Sequence, residues 1–215
     1  GGEVEEFERR FADLCGVSYS VGLNSGTDAL ILALKALRIG PGDEVITVPS
    51  SFVASTSCIA LVGAHPVFVD VRDDYNIDPS LIEQAVTERT KAILLVHLTG
   101  RPADMDPIME IADKYGLLVL HDSADTLGAT INNFSSGKFS DISITSFYGS
   151  HIINCAGNGG MVCFNNKKIY NRAKLLRSWG RSSSLFDDKS EKIENRFDIM
   201  INGIKYDKKF VFEEL

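Results

Sequence analysis

The sequence predicts an α/β fold with three layers, in which helices cover both faces of a mostly parallel sheet. Short apolar runs typical of strands alternate with amphipathic runs typical of helices between residues 20 and 164. The strand-like runs are apolar on both faces, as the buried strands of parallel sheets are. Because parallel strands need right-handed crossovers, this alternation places helices on both sides of the sheet.

The individual elements follow in chain order from the spacing of their apolar residues. The first helix is predicted at residues 3–16, where apolar residues recur at helical spacing. Further helices are predicted at residues 27–39, 52–63, 78–86 and 104–116. Strands are predicted at residues 20–24, 44–49, 66–71, 92–97, 117–122, 142–147 and 161–164.

Capping residues mark several of these helix boundaries. Asp78 is a preferred N-cap residue, and Pro79 follows it at the first helical position, where proline loses no hydrogen bond. Gly40 and Gly116 stand where C-terminal caps are expected. After Gly180 the sequence becomes polar and rich in turn residues. We therefore expect one large domain over residues 1–180, then a loop over 181–215 that leads to a C-terminal domain lying outside this chain.

Composition limits the classes of function. A net charge of −7 and a pI near 5.1 argue against a general nucleic-acid-binding protein, which is usually basic. No apolar run is long enough to span a bilayer, so no membrane association is predicted. The cysteines are far apart and lack metal-binding spacing, which predicts neither a disulfide framework nor a metal site and favours a reducing cytoplasm. They are Cys15, Cys58, Cys155 and Cys163.

Small and polar residues follow several of the predicted strands, and the carboxyl ends of parallel strands are where ligands bind in such sheets. After the first strand comes the motif "NSGTDAL", in which small residues lead into a helix that begins at Thr27. Free amide groups at a helix start bind phosphate, although the same motif also suits a plain helix cap. Phe52, after the second strand, is either a core residue or a platform for a planar ring.

Three acidic or basic residues and one serine complete this set. Asp122 ends the fifth strand, where a buried carboxylate needs either a cationic partner or a role in capping the next turn. Asp125 follows it by three residues. Ser146 ends the sixth strand, and His151 is either a structural histidine or a general base. In this order, the features have the layout of a pyridoxal-phosphate site on an α/β sheet.

The motifs also carry a resemblance to a known family. They are "NSGTDAL", "GDEVITVPSSFVAS", "GAHPVFVDV", "HLTGRPADMDPI", "HDSADTLGA", "SFYGSH", "GNGGMV" and "LLRSWGR". With these motifs the sequence resembles the sugar aminotransferases and dehydratases named after DegT, DnrJ, EryC1 and StrS, which are fold-type-I pyridoxal-phosphate enzymes. The resemblance implies an aspartate-aminotransferase-like large domain, a nucleotide-linked sugar substrate and a homodimer.

The resemblance also implies roles for the strand-end residues. The backbone of Gly26 and Thr27 and the hydroxyl of Ser146 would hold the cofactor phosphate. Phe52 would stack on the pyridine ring and Asp122 would pair with its nitrogen. Asp125 falls where the family has a polar residue near the ring hydroxyl.

Residue 151 departs from the aminotransferases of the family, which have there the lysine that forms a Schiff base with the cofactor. An imidazole cannot form that bond, and the histidine resembles the branch of sugar 3-dehydratases. In that branch pyridoxamine phosphate is held without a covalent bond, and the histidine moves a proton. We therefore expect a dehydratase that removes the C3 hydroxyl of a nucleotide-linked 4-keto-6-deoxyhexose, for deoxysugar or surface polysaccharide biosynthesis.

Two alternatives remain open from the sequence. One is a nucleotide-sugar aminotransferase whose lysine lies elsewhere, with Lys138, Lys167 and Lys168 as the nearest candidates. The other is a non-catalytic homologue that binds the cofactor. Some 3-dehydratases carry an iron–sulfur cluster, but the expected ligand positions hold no cysteine, so no cluster is predicted. A nicotinamide-binding domain is disfavoured because the first turn lacks GxGxxG.

Overall fold

The computed structural model describes residues 2–185, 197 and 199–212. Within these residues the strands are β1 (Tyr19–Leu23), β2 (Glu44–Thr47), β3 (His65–Phe68), β4 (Thr90–Val96), β5 (Leu118–Asp122), β6 (Thr130–Ile131), β7 (Phe134–Ser135), β8 (Ile142–Ser146), β9 (Gly160–Phe164), β10 (Ile199–Ile201) and β11 (Ile204–Tyr206). The α-helices are α1 (Gly2–Cys15), α2 (Gly26–Ala36), α3 (Ala54–Leu61), α4 (Pro79–Ile82), α5 (Met105–Tyr115) and α6 (Lys167–Arg177).

Seven of these strands form the central sheet, in the order β1-β9-β8-β5-β4-β2-β3. The pairs β2–β3, β2–β4, β4–β5 and β5–β8 are parallel. Strand β9 runs antiparallel to both of its neighbours, β1 and β8. Six strands therefore share one direction, as the apolar, two-sided strand pattern predicts, and their carboxyl ends lie at one edge of the sheet.

Helices cover both faces of the sheet, which gives three layers. Along β9, Met161 and Cys163 pack in a small cluster with Phe11 of α1. Val162 and Phe164 alternate with them and belong to the main core, which also contains the apolar residues of α2. Since successive side chains of a strand point to opposite faces, α1 and α2 lie on opposite sides of β9.

The predicted caps are only partly correct. The Asp78 side chain accepts a hydrogen bond from the Ser80 amide, and Pro79 is the first residue of α4. Gly116 adopts the left-handed conformation at the end of α5, with φ of 65°. The prediction for Gly40 is wrong, because α2 ends at Ala36 and Arg38, with φ of 63°, takes the left-handed position instead.

The chain after β9 contains regular structure that the sequence pattern did not predict. Helix α6 packs against α2 and β1, and β10 pairs with β11 in a separate hairpin. The predicted loop begins with a 3₁₀ turn at Ser182–Leu185, and residues 186–196 lie outside the described part. The division at residue 180 remains a prediction. None of the helices in the described ranges is long and apolar enough to cross a bilayer.

Gly26 and Gly160 allow the turn before α2 to lie directly on the last residue of β8 and the first residue of β9. A Cβ atom on Gly160 would lie 2.8 Å from the Gly26 nitrogen and closer still to the carbonyl group of Ser25. A Cβ atom on Gly26 would lie 2.7 Å from the Ser146 Cβ atom. Both approaches are closer than side-chain carbons tolerate, so glycine is required at each position. This contact explains the final glycine of the "GNGG" motif.

We predict that Gly160→Ala destabilises the fold, because the new methyl group collides with backbone atoms that cannot move alone. The expected loss is at least about 2 kcal/mol, or roughly 4–8 °C in Tm for a chain of this size. Thermal unfolding followed by circular dichroism measures it. Gly149→Ala is the matched control, since a Cβ atom there meets nothing within 4 Å. Equal Tm values for the two variants would contradict the close approach.

Candidate active site

A cavity of about 620 Å³ lies at the carboxyl edge of the sheet, where β1, β4, β5 and β8 end. All seven residues singled out from the sequence line it: Gly26, Thr27, Phe52, Asp122, Asp125, Ser146 and His151. A larger and more open depression of about 880 Å³ lies between α1, α2 and α6 and contains none of the seven. The chemically relevant cavity is therefore the smaller one.

The N-terminus of α2 forms one end of the cavity. The Ser25 hydroxyl accepts the Asp28 amide hydrogen at 3.0 Å and donates to the Asp28 carboxylate at 2.8 Å. The first main-chain helical bond runs from the Ala29 amide to the Ser25 carbonyl. The amides of Gly26 and Thr27 precede that bond, and the missing side chain of Gly26 brings them next to Ser146. Such a helix start suits an anion.

Asp122 is a second, electrostatically different feature of the cavity. The residue is only 7% exposed. The Ser55 hydroxyl donates to one carboxylate oxygen at 2.8 Å, and the Ala124 amide donates to the other at 3.3 Å. Burial raises the pKa of Asp122, and the nearby carboxylate of Asp125 adds to that rise. A cationic group in the cavity would relieve this cost.

Ser55 is a site residue that the sequence interpretation missed. Its hydroxyl also lies 2.8 Å from the Ser51 hydroxyl, so two serines orient the buried carboxylate from the start of α3. Ser55 falls three residues after Phe52 in the motif "PSSFVAS", but Phe52 lies before the start of α3, so helical spacing does not relate the two residues. The contact of Ser55 with Asp122 joins α3 to β5 and left no signal in the local sequence.

The imidazole of His151 has a defined orientation. Its Nδ1 atom lies 3.2 Å from the Ser146 carbonyl oxygen, which can only accept a hydrogen bond. Nδ1 therefore carries the proton in the neutral ring, and Nε2 keeps its lone pair. Nε2 lies 3.6 Å from Asp125 Oδ1. The ring of Tyr148 stands edge-on to the imidazole, with 5.9 Å between the ring centroids.

Phe52 lies at the rim of the cavity. It is 75% exposed, so the interpretation as a core residue is wrong. An exposed aromatic ring beside a cavity provides a flat apolar surface for a planar ligand.

His97, which lines the cavity, forms a buried pair with His121. The Ala103 amide donates to His97 Nδ1 at 3.0 Å, so His97 Nε2 carries the proton and donates to His121 Nδ1 at 3.1 Å. Burial lowers the pKa of His97 to about 4 and that of His121 well below its ordinary value. Both rings are therefore neutral near pH 7. The pair connects β4 to β5 and adds no charge near Asp122.

No lysine lines the cavity within the described part of the chain. Lys138 lies over the ring of Phe134 at 4.6 Å, and Lys167 and Lys168 are the first residues of α6. The described ranges also contain no group of three or more His, Cys, Asp or Glu side chains that could hold a metal ion.

The residues present fit pyridoxal or pyridoxamine phosphate. The free helix start and the Ser146 hydroxyl suit a phosphate, and Phe52 offers a surface for an aromatic ring. The buried Asp122 carboxylate suits a protonated ring nitrogen. The cavity thus has one end suited to an anion and one end suited to a cation, which matches a ligand that carries both charges.

Comparison with known proteins agrees with this chemistry. The family model for the DegT/DnrJ/EryC1/StrS aminotransferases matches residues 1–206. The chain belongs to this family. The resemblance of the sequence motifs is thereby confirmed.

Two curated relatives illustrate the similarity. The dTDP-3-amino-3,4,6-trideoxy-alpha-D-glucose transaminase of Streptomyces venezuelae is 41% identical over 93% of this chain and 53% of its own length. The UDP-2-acetamido-2-deoxy-3-oxo-D-glucuronate aminotransferase of Pseudomonas aeruginosa is 39% identical over 100% of this chain and 60% of its own length. The chain thus spans a little more than half the length of these two relatives.

A putative sugar aminotransferase of Streptococcus pneumoniae has been solved in a PLP form and a PMP form, where PLP and PMP are the pyridoxal and pyridoxamine phosphates. It is 33% identical to this chain, with a TM-score of 0.80. The similarity covers 86% of this chain and about half of that protein, 52% in the PMP form and 53% in the PLP form. The predicted aspartate-aminotransferase-like fold is confirmed, and the predicted cofactor agrees with those of this relative. The relatives named above are aminotransferases, which supports the amino-transfer alternative and not the expected dehydration.

We predict that Asp122→Asn stabilises the cofactor-free protein near pH 7, because it removes a buried charge that two neutral donors compensate only in part. A carboxyl whose folded-state pKa is raised contributes stability below the ordinary value of 3.8 and loses it as the pH rises through the folded value. The Tm difference between variant and wild type should therefore disappear below about pH 3. Differential scanning fluorimetry across this pH range measures it.

The same substitution should weaken pyridoxamine phosphate binding at least about tenfold, because the charge-assisted pair with the ring nitrogen is lost. Asp73→Asn, which removes one exposed carboxylate, is the control for net charge. A lower Tm at pH 7 together with unchanged binding would contradict the assignment of Asp122.

Proposed function

We propose that this chain is the cofactor-binding part of a PLP/PMP-dependent enzyme that transfers an amino group to a nucleotide-linked sugar. The observation that carries the proposal is the pairing, within one cavity, of the free N-terminus of α2 with the buried carboxylate of Asp122. The names of the relatives support amino transfer as the reaction. Their dTDP- and UDP-linked substrates support a nucleotide sugar as the substrate class.

In this proposal each cavity residue has a binding task. The amides of Gly26 and Thr27 and the Ser146 hydroxyl bind the cofactor phosphate. Phe52 covers the ring and excludes water from that face. Asp122, oriented by Ser55, keeps the ring nitrogen protonated, and when bound the cofactor supplies an electron sink for the reacting carbon. The proposed contact of Asp125 with the ring hydroxyl comes from the family resemblance.

His151 is the proposed general base, which accepts a proton during the reaction and returns it. The Ser146 carbonyl holds Nδ1–H, which directs the lone pair of Nε2 away from the backbone. An imidazole in this position can act as the general base of the reaction, and this type of catalysis contributes about 10²–10⁴-fold to a rate.

A second candidate is the dehydration of a nucleotide-linked 4-keto-6-deoxyhexose at C3. The observation that favours it is the identity of residue 151, since an imidazole cannot hold the cofactor covalently. Dehydration requires only a base at this position, which the imidazole provides. The relatives support amino transfer better, so dehydration is the secondary proposal. Under either reaction we expect a cytoplasmic homodimer in sugar biosynthesis, with no nucleic acid, membrane or iron–sulfur cluster involved.

The nature of the product tests the two reactions. Full-length protein loaded with PMP or PLP is incubated with dTDP- and UDP-linked keto sugars and ¹⁵N-glutamate, and the products are analysed by mass spectrometry. We expect ¹⁵N in the sugar, and His151→Ala should lower the rate at least about 100-fold. His65→Ala, at an exposed histidine in β3, is the control.

A product that has lost water and contains no nitrogen would favour the dehydration instead. If neither product forms although the protein retains the cofactor, both reactions are excluded and the non-catalytic, cofactor-binding alternative stands.

A further inference from the structure

The carboxylate of Asp125 lies beside the one ring nitrogen of His151 that is free to accept a proton. Asp125 Oδ1 is 3.6 Å from His151 Nε2. The imidazole side chain is 19% exposed, whereas that of Asp125 is 50% exposed and reaches the cavity from the turn after β5. At 3.6 Å the two atoms are too far apart for a hydrogen bond but within the range of an ion pair.

The orientation of the ring makes this contact specific. Nδ1 is committed to the Ser146 carbonyl at 3.2 Å, so Nε2 faces Asp125. A neutral Nε2 has only a lone pair and gains nothing from a carboxylate. Once Nε2 carries a proton, the ring becomes a cation with an N–H group directed at Oδ1. The contact therefore favours the protonated ring over the neutral one.

Other groups around the imidazole do not provide the same interaction. Asp122 also contributes negative charge, but its two oxygens are held by Ser55 and the Ala124 amide. Tyr148 contributes an aromatic ring that is tilted by 68° to the imidazole, and no carboxylate. No lysine or arginine lines the cavity within the described ranges, so no cation there competes with His151 for Asp125.

We propose that Asp125 is a positioning residue for His151, and that its carboxylate orients Nε2 and stabilises the imidazolium formed when this atom takes up a proton. This inference rests on the proposed function for its catalytic consequence. It gives Asp125 a role that differs from contact with the ring hydroxyl of the cofactor. The proton resides on Nε2 and then returns to the reactant, while the carboxylate stays ionised throughout.

The first test needs no cofactor and uses a double-mutant cycle of Asp125→Asn and His151→Asn. Thermal stability of the four proteins is measured at pH 5.5, where histidine side chains are commonly charged, and at pH 8.5, where they are neutral. We expect the two substitutions to be coupled at pH 5.5 and independent at pH 8.5. Asp73→Asn in place of Asp125→Asn should show no coupling at either pH.

The second test uses the full-length enzyme loaded with cofactor. Asp125→Asn should lower kcat about tenfold with little change in KM, Asp125→Glu should restore part of the loss, and Asp125→Asn should have no further effect in a His151→Asn background. The absorption spectrum of the bound cofactor should stay unchanged, because Asp125 acts through the imidazole.

Two results would overturn the proposal. Absence of coupling at pH 5.5 would show that the carboxylate does not interact with the imidazolium. A shifted absorption band in Asp125→Asn, with effects that add to those of His151→Asn, would assign Asp125 to the cofactor ring instead. An enzyme without activity on nucleotide sugars, but with coupling at pH 5.5, would reject the proposed function and leave the pairing of the two residues intact.

Discussion

The candidate site depends on one steric constraint, the close approach of the turn at Ser25 and Gly26 to the ends of β8 and β9. Glycine at position 160 lets the backbone of β9 lie under this turn, and glycine at position 26 lets the turn meet Ser146. Residues more than a hundred positions apart in the chain thereby form one corner of the cavity that is suited to an anion. A methyl group at either glycine would move the start of α2 away from the sheet.

The electrostatics of the cavity depend on two polar features that the packing leaves without an opposite charge. The helix start offers amide groups without partners in the helix, and Asp122 offers a buried carboxylate with only neutral donors around it. Each feature is costly in the empty protein and favourable when an opposite charge is bound. His97 and His121 are both neutral near pH 7, so they add no charge next to Asp122. The site is therefore suited to a ligand with a phosphate at one end and a protonated ring nitrogen at the other.

The sequence was sufficient to predict features that depend on neighbouring residues, such as strands, helices and the residues at strand ends. The seven strands of the central sheet, the helices between them and the seven cavity residues follow from apolar patterns and from the rule that ligands bind at strand ends, whereas the short hairpin of β6 and β7 was not predicted. Contacts between distant residues were not accessible in this way. The left-handed Arg38 in place of Gly40, the support of Asp122 by Ser55, and the orientation of His151 by the Ser146 carbonyl all arise from tertiary packing. Helix α6 was missed because its mean hydropathy is low and basic residues interrupt its apolar face.

The central claim is that the N-terminus of α2 holds the phosphate of the cofactor within the smaller cavity. A titration of the ¹⁵N-labelled chain with pyridoxamine phosphate, followed by ¹H–¹⁵N correlation spectra, tests it most directly. We expect the amide signals of Gly26 and Thr27 to shift most, together with that of Ser146. The claim would be contradicted if these signals stayed in place while those of Lys35 or Gly180, in the larger depression, moved.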